Sequence, residues 1–286
     1  MQTESALQNL QIYNQPAVAS HYASLDYLTA CERHLFASYL KPGMSILDLG
    51  VGGGRTTPYL SRVASRYVGL DFAEEMVRAC RRRFPGQEFV AGDASDLHAF
   101  EDAAFEAVIM AFNGLDYVLP AEKRRQCLGE CWRVLQPGGV LIFSSHNPRA
   151  VLARPVWDPE RIRMLARRCA SEGSLGFSFA VGLLTALKSL HSAARAGVES
   201  VSRVMHRLHT TAFWRGEGYL FDPAHGGLQT HCSVPDRVVA EVSQLGFRLQ
   251  TLAGDDYPRE SGPFTTDWYY YVFQKPNVPA NGVMCA

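Results

Sequence analysis

Short apolar runs alternate with amphipathic stretches through the first half of the chain. Ile46-Leu47 and Leu49 form one such run, walled off upstream by Pro42 and Gly43. Tyr67 to Leu70, Glu88 to Ala94, Ala107 to Phe112 and Val140 to Ser144 are others, each short enough for a buried strand. Between them, Arg55 to Ala64, Ala73 to Phe84 and Ala121 to Leu135 have helical length, and the last leads into the turn Gln136-Pro137-Gly138-Gly139. Strand and helix in strict alternation predict an α/β fold with a doubly wound, mostly parallel sheet. Ala107 to Phe112 is the most apolar strand and belongs at the sheet centre, where both faces are covered.

Two regions break the alternation. Residues 1–40 read as two helical pieces; the second, Leu25 to Leu40, carries apolar side chains at 25, 28, 35, 36, 39 and 40. Residues 149–230 do not continue the strand–helix rhythm and are expected to be a mainly helical insertion, with helices over 161–170, 177–195 and 198–208. Turn signals stand at Phe221-Asp222-Pro223 and Gly226-Gly227. The core resumes with a helix from Pro235 to Leu245, stopped by Gly246, and with strands over 247–252 and 267–274 that predict a closing antiparallel hairpin. The chain thus divides into a helical cap (1–40), a core (41–148 and 231–275), the insertion (149–230) and a loose tail (276–286).

Composition changes this picture little. The 286 residues are 47% hydrophobic and 20% charged with zero formal net charge, which advertises no nucleic-acid partner. The insertion is the exception. From Arg149 to Arg215 there are eleven Arg or Lys against four Asp or Glu. Seven cysteines in no metal-like spacing point to a reducing cytoplasm, with Cys127 and Cys131 read as core packing. No metal site is expected. The N-terminal MQTESALQNLQIYNQ has no basic region followed by an apolar one, so no signal peptide is expected. The longest apolar run, Leu175 to Leu187, is too short to span a membrane.

The chemistry concentrates at residues 44–54. The strand stops at Asp48-Leu49-Gly50-x-Gly52-x-Gly54, where glycine allows left-handed backbone and close approach of a ligand. A dinucleotide fingerprint would need glycine at 55, which is Arg55. An acid at 48 suits a cationic or amine-bearing ligand better than a pyrophosphate, which it would repel. A second acid, Asp71, ends the next strand 21 residues after Gly50, the offset at which a ribose is held. A third, Asp93, follows the third strand.

This pattern resembles motif I and its companions in the class I S-adenosylmethionine-dependent methyltransferases of the small-molecule type, across some 170–200 residues of core. The resemblance implies a seven-stranded, Rossmann-like sheet binding S-adenosylmethionine and releasing S-adenosylhomocysteine. It implies that Asp48, Gly50, Gly52, Gly54, Asp71, Asp93 and Ala94 hold the cofactor, with Asp93 and Ala94 at the adenine; Phe72 and Met76, just after Asp71, pack on the adenine or else in the core, and Phe112 and Asn113, at the end of the fourth strand, line the crevice near the methionine part. The Arg133-Val134-Leu135-x-Pro137-Gly138-Gly139 run is similar to the turn before strand five in these enzymes.

On the substrate side the sequence offers Tyr13, Tyr22, Tyr117 and His146. Tyr13 and Tyr22 lie in a segment resembling the aromatic cover of many such enzymes, or else pack on the core. His146, at the exit of strand five, titrates near neutral pH and is the candidate base; alternatively it braces the turn before Pro148. His225 and His231 are weaker candidates. Asn113-Gly114-Leu115-Asp116 is not the Asn-Pro-Pro-aromatic signature of base-modifying enzymes, and Asp116 alone is thin for a metal-assisted catechol site. A small molecule methylated on oxygen or nitrogen remains, anionic or sugar-like if the basic insertion is a lid over it. Cyclisation or aminocarboxypropyl transfer on the same fold, or a partner-binding or membrane-surface module using the basic insertion, are the alternatives.

Overall fold

A computed structural model describes residues 2–150, 210–222 and 228–277. The three helices expected over 161–208 lie outside those residues.

The cap is three helices, α1 (Gln2–Tyr13), α2 (Pro16–Ala23) and α3 (Ala30–Tyr39), where two were expected. Leu25 to Thr29 is not helical because Thr29 caps α3: its hydroxyl accepts from the Glu32 N–H at 3.1 Å, and the Glu32 carboxylate accepts from the Thr29 N–H at 2.8 Å. The core then runs β1 (Met44–Leu49), α4 (Thr57–Val63), β2 (Ala64–Asp71), α5 (Glu74–Arg83), β3 (Glu88–Ala91), β4 (Phe105–Met110), a 3₁₀ turn (Gly114–Tyr117), α6 (Ala121–Val134) and β5 (Leu135–His146). After the insertion come α7 (Thr211–Arg215), β6 (Glu217–Asp222), β7 (Leu228–Ser233), α8 (Pro235–Gln244), β8 (Arg248–Gly254) and β9 (Trp268–Gln274).

The seven-stranded sheet has the order β3-β2-β1-β4-β5-β9-β8. Its first four pairings are parallel, and β9 joins β5 and β8 antiparallel. The expected fold class therefore stands, with β4 at the centre. Side chains alternate across it as the strand period requires. Leu47, Leu49, Leu141, Phe143, Tyr271 and Phe273 pack on α6 and α8, while Ile46, Ile142, Tyr270 and Val272 pack on α3, α4 and α5.

Two local readings need correction. Gln136 to Gly139, expected as a turn before the strand, is carried within β5 as a register shift against β4, with Gly138 at φ +82°. Residues 217–230, read with the mainly helical insertion, contribute with 231–233 to the antiparallel ribbon β6–β7; of the expected turn signals, Phe221-Asp222 ends β6, while Pro223 and Gly226-Gly227 lie outside the described residues. The ribbon returns over the strand ends: Asn9 of α1 donates to the Gln229 carbonyl at 2.9 Å, and Leu228 packs with Ala73 and Met76.

Candidate active site

The loop between β1 and α4 uses left-handed backbone at Gly50, Gly52 and Gly54, with φ of +63°, +55° and +82°. A side chain at Gly50 would enter open space, whereas at Gly53 it would sit 2.2 Å from the Ala23 amide nitrogen. The end of α2 thus rests directly on the glycine loop. Asp71, at the tip of β2, ties the loop to α5, accepting from the Gly52 N–H at 2.8 Å and the Ala73 N–H at 2.9 Å. Burial pushes its carboxyl up to about 6 in spite of those two bonds.

Asp48 is turned away from solvent. Its Oδ2 accepts from the Thr56 hydroxyl at 2.6 Å and the Tyr67 hydroxyl at 2.9 Å. Burial lifts its carboxyl to about 6 against the pull of both donors. Arg55, known from the sequence only as the residue that breaks a dinucleotide fingerprint, is a structural hub. It holds both oxygens of buried Glu32, at 2.6 and 2.7 Å, donates to the Tyr27 carbonyl at 2.8 Å, and lies 4.8 Å over the Phe112 ring. Burial works against a charge on Glu32, yet the Arg55 charge and its hydrogen bonds hold that carboxyl below its usual range.

The aromatic residues converge. Tyr13 meets Tyr22, Phe72 and Tyr117 edge-on at 5.8, 5.8 and 6.0 Å. Met76 is buried beneath them with Ala73, and Phe72 keeps an exposed face. Asp93 stands apart, half-exposed, accepting from the Ser95 N–H and hydroxyl at 2.9 and 2.7 Å and paired with Lys123 of α6. Ala94 packs into the core beside Leu97.

At the exits of β4 and β5 a second group assembles. Phe112 and Asn113 are both left-handed, φ 57° and 63°, an arrangement costing about 1–3 kcal/mol at a bulky residue such as Phe112. The chain reverses there, and the 3₁₀ turn brings Asp116, fully buried, to the end of β5. Asp116 accepts from the Ser145 hydroxyl at 2.7 Å and the His146 N–H at 2.6 Å, and its Oδ2 lies 2.8 Å from His146 Nδ1. Asn113 Nδ2 lies 3.1 Å from His146 Nε2, and the Tyr117 ring is 6.3 Å from the imidazole. The two ring contacts with Asp116 and Asn113 are both met by one tautomer: Nδ1–H donates to Asp116, and Nε2 accepts from Asn113. His231 lies on β7, buried, with desolvation and the Arg124 charge lowering its pKa; His225 lies outside the described residues.

Sequence reasoning missed three members of this arrangement. Asp116 was weighed only as a metal ligand. Glu32 was announced by Thr29-x-x-Glu32, a capping-box spacing. Tyr67, the donor to Asp48, carried no signal beyond being a polar-tipped aromatic at the start of an apolar run.

The methyltransferase-domain family matches residues 47–143. The chain is 38% identical to the demethylmenaquinone methyltransferase of Clavibacter sepedonicus over 41% of its own length and 47% of that protein's. It is 34% identical to the demethylmenaquinone methyltransferase of Beutenbergia cavernae over 63% of its own length and 69% of that protein's. It thus spans about half the length of the first of these relatives and more than two thirds of the second. Among solved structures, an S-adenosylmethionine-dependent methyltransferase from Methanosarcina mazei superposes with a TM-score of 0.55 at 20% identity, covering 88% of this chain and 99% of that one. The sheet order, the glycine loop and these matches agree: the chain belongs to the class I S-adenosylmethionine-dependent methyltransferases.

Proposed function

We propose that this chain transfers a methyl group from S-adenosylmethionine to an oxygen or nitrogen of a small, largely apolar molecule, and that His146 removes the acceptor's proton. The observation that carries this is the His146 ring, held by Asp116 at the end of β5 beside the Tyr13–Tyr22–Tyr117 cluster. The residues present fit the donor. Gly50 leaves open space at the strand end, the Asp71 carboxylate stands beside it, and Phe72 offers a free ring face. Gly52 and Gly54 give the loop its left-handed turn, Met76 lies buried beneath the aromatic cluster, and Asp48 acts from behind by fixing Thr56 at the loop's end. Asp93 and Ala94 take the adenine edge, and Phe112 and Asn113 the methionine end. When bound, S-adenosylmethionine supplies a methyl group already activated for in-line displacement.

What the chain adds is alignment and proton removal. Asp116 fixes Nδ1–H, which makes Nε2 the basic atom once the acceptor's hydroxyl takes the place the Asn113 amide holds on it, and it stabilises the imidazolium once the proton arrives. The aromatic cluster excludes water and lines a wall for a flat or greasy acceptor. The two relatives named above are demethylmenaquinone methyltransferases by name, and a menaquinone precursor is a flat, apolar molecule. A hydroxyl gains most from a base, so oxygen is the favoured acceptor. An anionic or sugar-like acceptor would draw on the basic insertion, most of which lies outside the described residues.

The test is turnover with hydroxylated aromatic and quinone-type acceptors, following S-adenosylhomocysteine and the methylated product. His146→Ala is expected to lower kcat about 10²–10⁴-fold with donor binding retained, and Asp116→Asn to lower it in the same direction. Unchanged turnover in both variants would remove His146 as the base. Methylthioadenosine in place of S-adenosylhomocysteine would overturn methyl transfer itself.

A further inference from the structure

Arg124 of α6 is buried, 2% exposed, yet only one of its guanidinium nitrogens is paired, Nη1 with Glu241 of α8. Nε and Nη2 are buried and have no hydrogen-bond partner among the described residues. Their two N–H groups lie on one edge of the planar guanidinium, the edge that meets a single group with two parallel donors. Two more buried polar atoms without partners stand on neighbouring elements, the Tyr271 hydroxyl on β9 and His231 Nδ1 on β7. The Arg124 charge acts on both. Bare donors on a buried charge are costly, so the set calls for an oxygen from outside the chain.

We propose that the free edge of Arg124, with the Tyr271 hydroxyl, receives a neutral carbonyl oxygen of the acceptor, which makes Arg124 a specificity-determining residue. The inference rests on the reading of the chain as a methyltransferase with its acceptor hydroxyl at His146, and it names the second group that acceptor carries. Arg124 lies in the first turns of α6, four residues past Pro120 and just beyond the 3₁₀ turn. Asp116 of that turn holds His146 and also acts on Tyr271 and His231, so the cluster adjoins the proposed base. β7, which carries His231, packs on the same turn and on β5.

A guanidinium edge standing alone would suit a carboxylate, but this one does not stand alone. Asp116, Glu217, Asp236 and Glu241 act on the cluster, against Arg124 and against Arg237, which is bonded to Glu217. The excess is negative, and a bound anion would leave water to enter it. His231 sharpens the choice. Its Nε2 lies 3.4 Å from the Glu217 carboxylate, which draws the single ring proton there and leaves a lone pair on Nδ1. Burial and the Arg124 charge both disfavour a second proton on that ring. A carbonyl oxygen brings lone pairs and no charge, and both Arg124 donors can meet it.

Binding to the full-length protein saturated with S-adenosylhomocysteine reads this without turnover. The probes are para-hydroxyacetophenone, para-ethylphenol and para-hydroxybenzoate, which share a phenol and differ in carrying a carbonyl, a methylene or a carboxylate. At pH 7 the wild type is expected to bind the ketone about tenfold or more tightly than the ethyl compound, the effect of a desolvated hydrogen bond to a charged donor. It is expected to bind the carboxylate more weakly than the ketone. Arg124→Met is expected to erase the ketone preference, with Glu241, 29% exposed, turning to solvent. Tyr271→Phe is expected to reduce the preference a few-fold; if Arg124→Met does not fold, a preference unchanged by Tyr271→Phe overturns the proposal in its place. Equal wild-type affinity for the ketone and the ethyl compound assigns the edge to a buried water and overturns the proposal. A preference that survives Arg124→Met does the same, as does a carboxylate that binds tightest or a failure of all three to bind. A parallel incubation with S-adenosylmethionine follows the methylated product. Ketone preference without any product would sink the methyl-transfer reading and leave the Arg124 site standing, while product without preference would do the reverse.

Discussion

Replacing Glu32 with Gln removes one charge from a pair that is almost sealed off, Glu32 fully buried and Arg55 8% exposed. Gln also serves at the third position of a capping box, so the bond to the Thr29 N–H survives and the perturbation is confined to charge. Arg55 then keeps the Tyr27 carbonyl and the Tyr27 and Phe112 rings but has no counter-charge. Breaking a buried pair from one side costs about 3–5 kcal/mol, and the retained contacts place this site near the lower end, about 3 kcal/mol. For a chain of this size that is a fall in Tm of roughly 6–12 °C. The pH dependence has a definite sign. The Glu32 carboxyl is lowered from its usual 4.5 in the folded state, so its contribution is present above pH 4.5 and lost as pH falls through the lowered value. Glu32→Gln is expected to abolish that acid-side loss. The assay is urea unfolding of wild type, Glu32→Gln, Arg55→Met and the double variant at pH 7 and below pH 4.5. The double variant is expected to be more stable than the sum of the single losses by about 2 kcal/mol or more, since an apolar replacement of both partners strands no charge. Additive losses would refute the pair as a coupled anchor between α3 and the glycine loop.

Two further outcomes follow from the same geometry. Asp48 has its carboxyl raised from 3.8 to about 6, so the native state favours the protonated form; that contribution is full below pH 3.8 and lost as pH rises through 6. Asp48→Asn should flatten the loss, worth about 3 kcal/mol, and a stability difference from wild type that stays constant between pH 4 and pH 8 would count against this account. Gly53→Ala places a Cβ 2.2 Å from the Ala23 nitrogen and should drive α2 off the glycine loop, seen as faster proteolysis within residues 2–23 and a loss of about 1–3 kcal/mol; Gly86→Ala, which meets nothing within 4 Å, is the control.

The frame was legible because its signals are local. A strand covered on both faces has no polar side to show, so Ala107 to Phe112 reads as the sheet centre, and Ala107 to Met110 is buried there. Acids at strand ends beside glycine single out Asp48 and Asp71 in the same way. The direction of a side chain is a different matter. Asp48 points to Tyr67 because β1 and β2 pair in parallel register, Leu47 against Val68 and Ile46 against Tyr67, and register is not written in either strand alone. The β6–β7 ribbon shows the converse failure. Residues 217–230 were read with the helical insertion, since each strand is short and mixed in polarity.

The pairing of His146 with Asp116 was hidden for a more specific reason. The two residues are thirty positions apart and meet only because β4 and β5 are neighbours and the chain reverses immediately after β4. That reversal is made by Phe112 and Asn113 in left-handed backbone, where a sequence reader expects glycine. Had glycine stood at 112, the turn would have been visible and relaxed. With Phe there, the backbone strain must be offset by surrounding contacts, and the structure supplies them: Arg55 over one ring face, Trp268 edge-on at 6.0 Å, and the Ser144 hydroxyl on the following N–H. The Glu32–Arg55 pair therefore does more than staple a helix to the core. It braces the strained turn that carries Asp116 to His146, which ties the stability of the cap to the geometry of the proposed base.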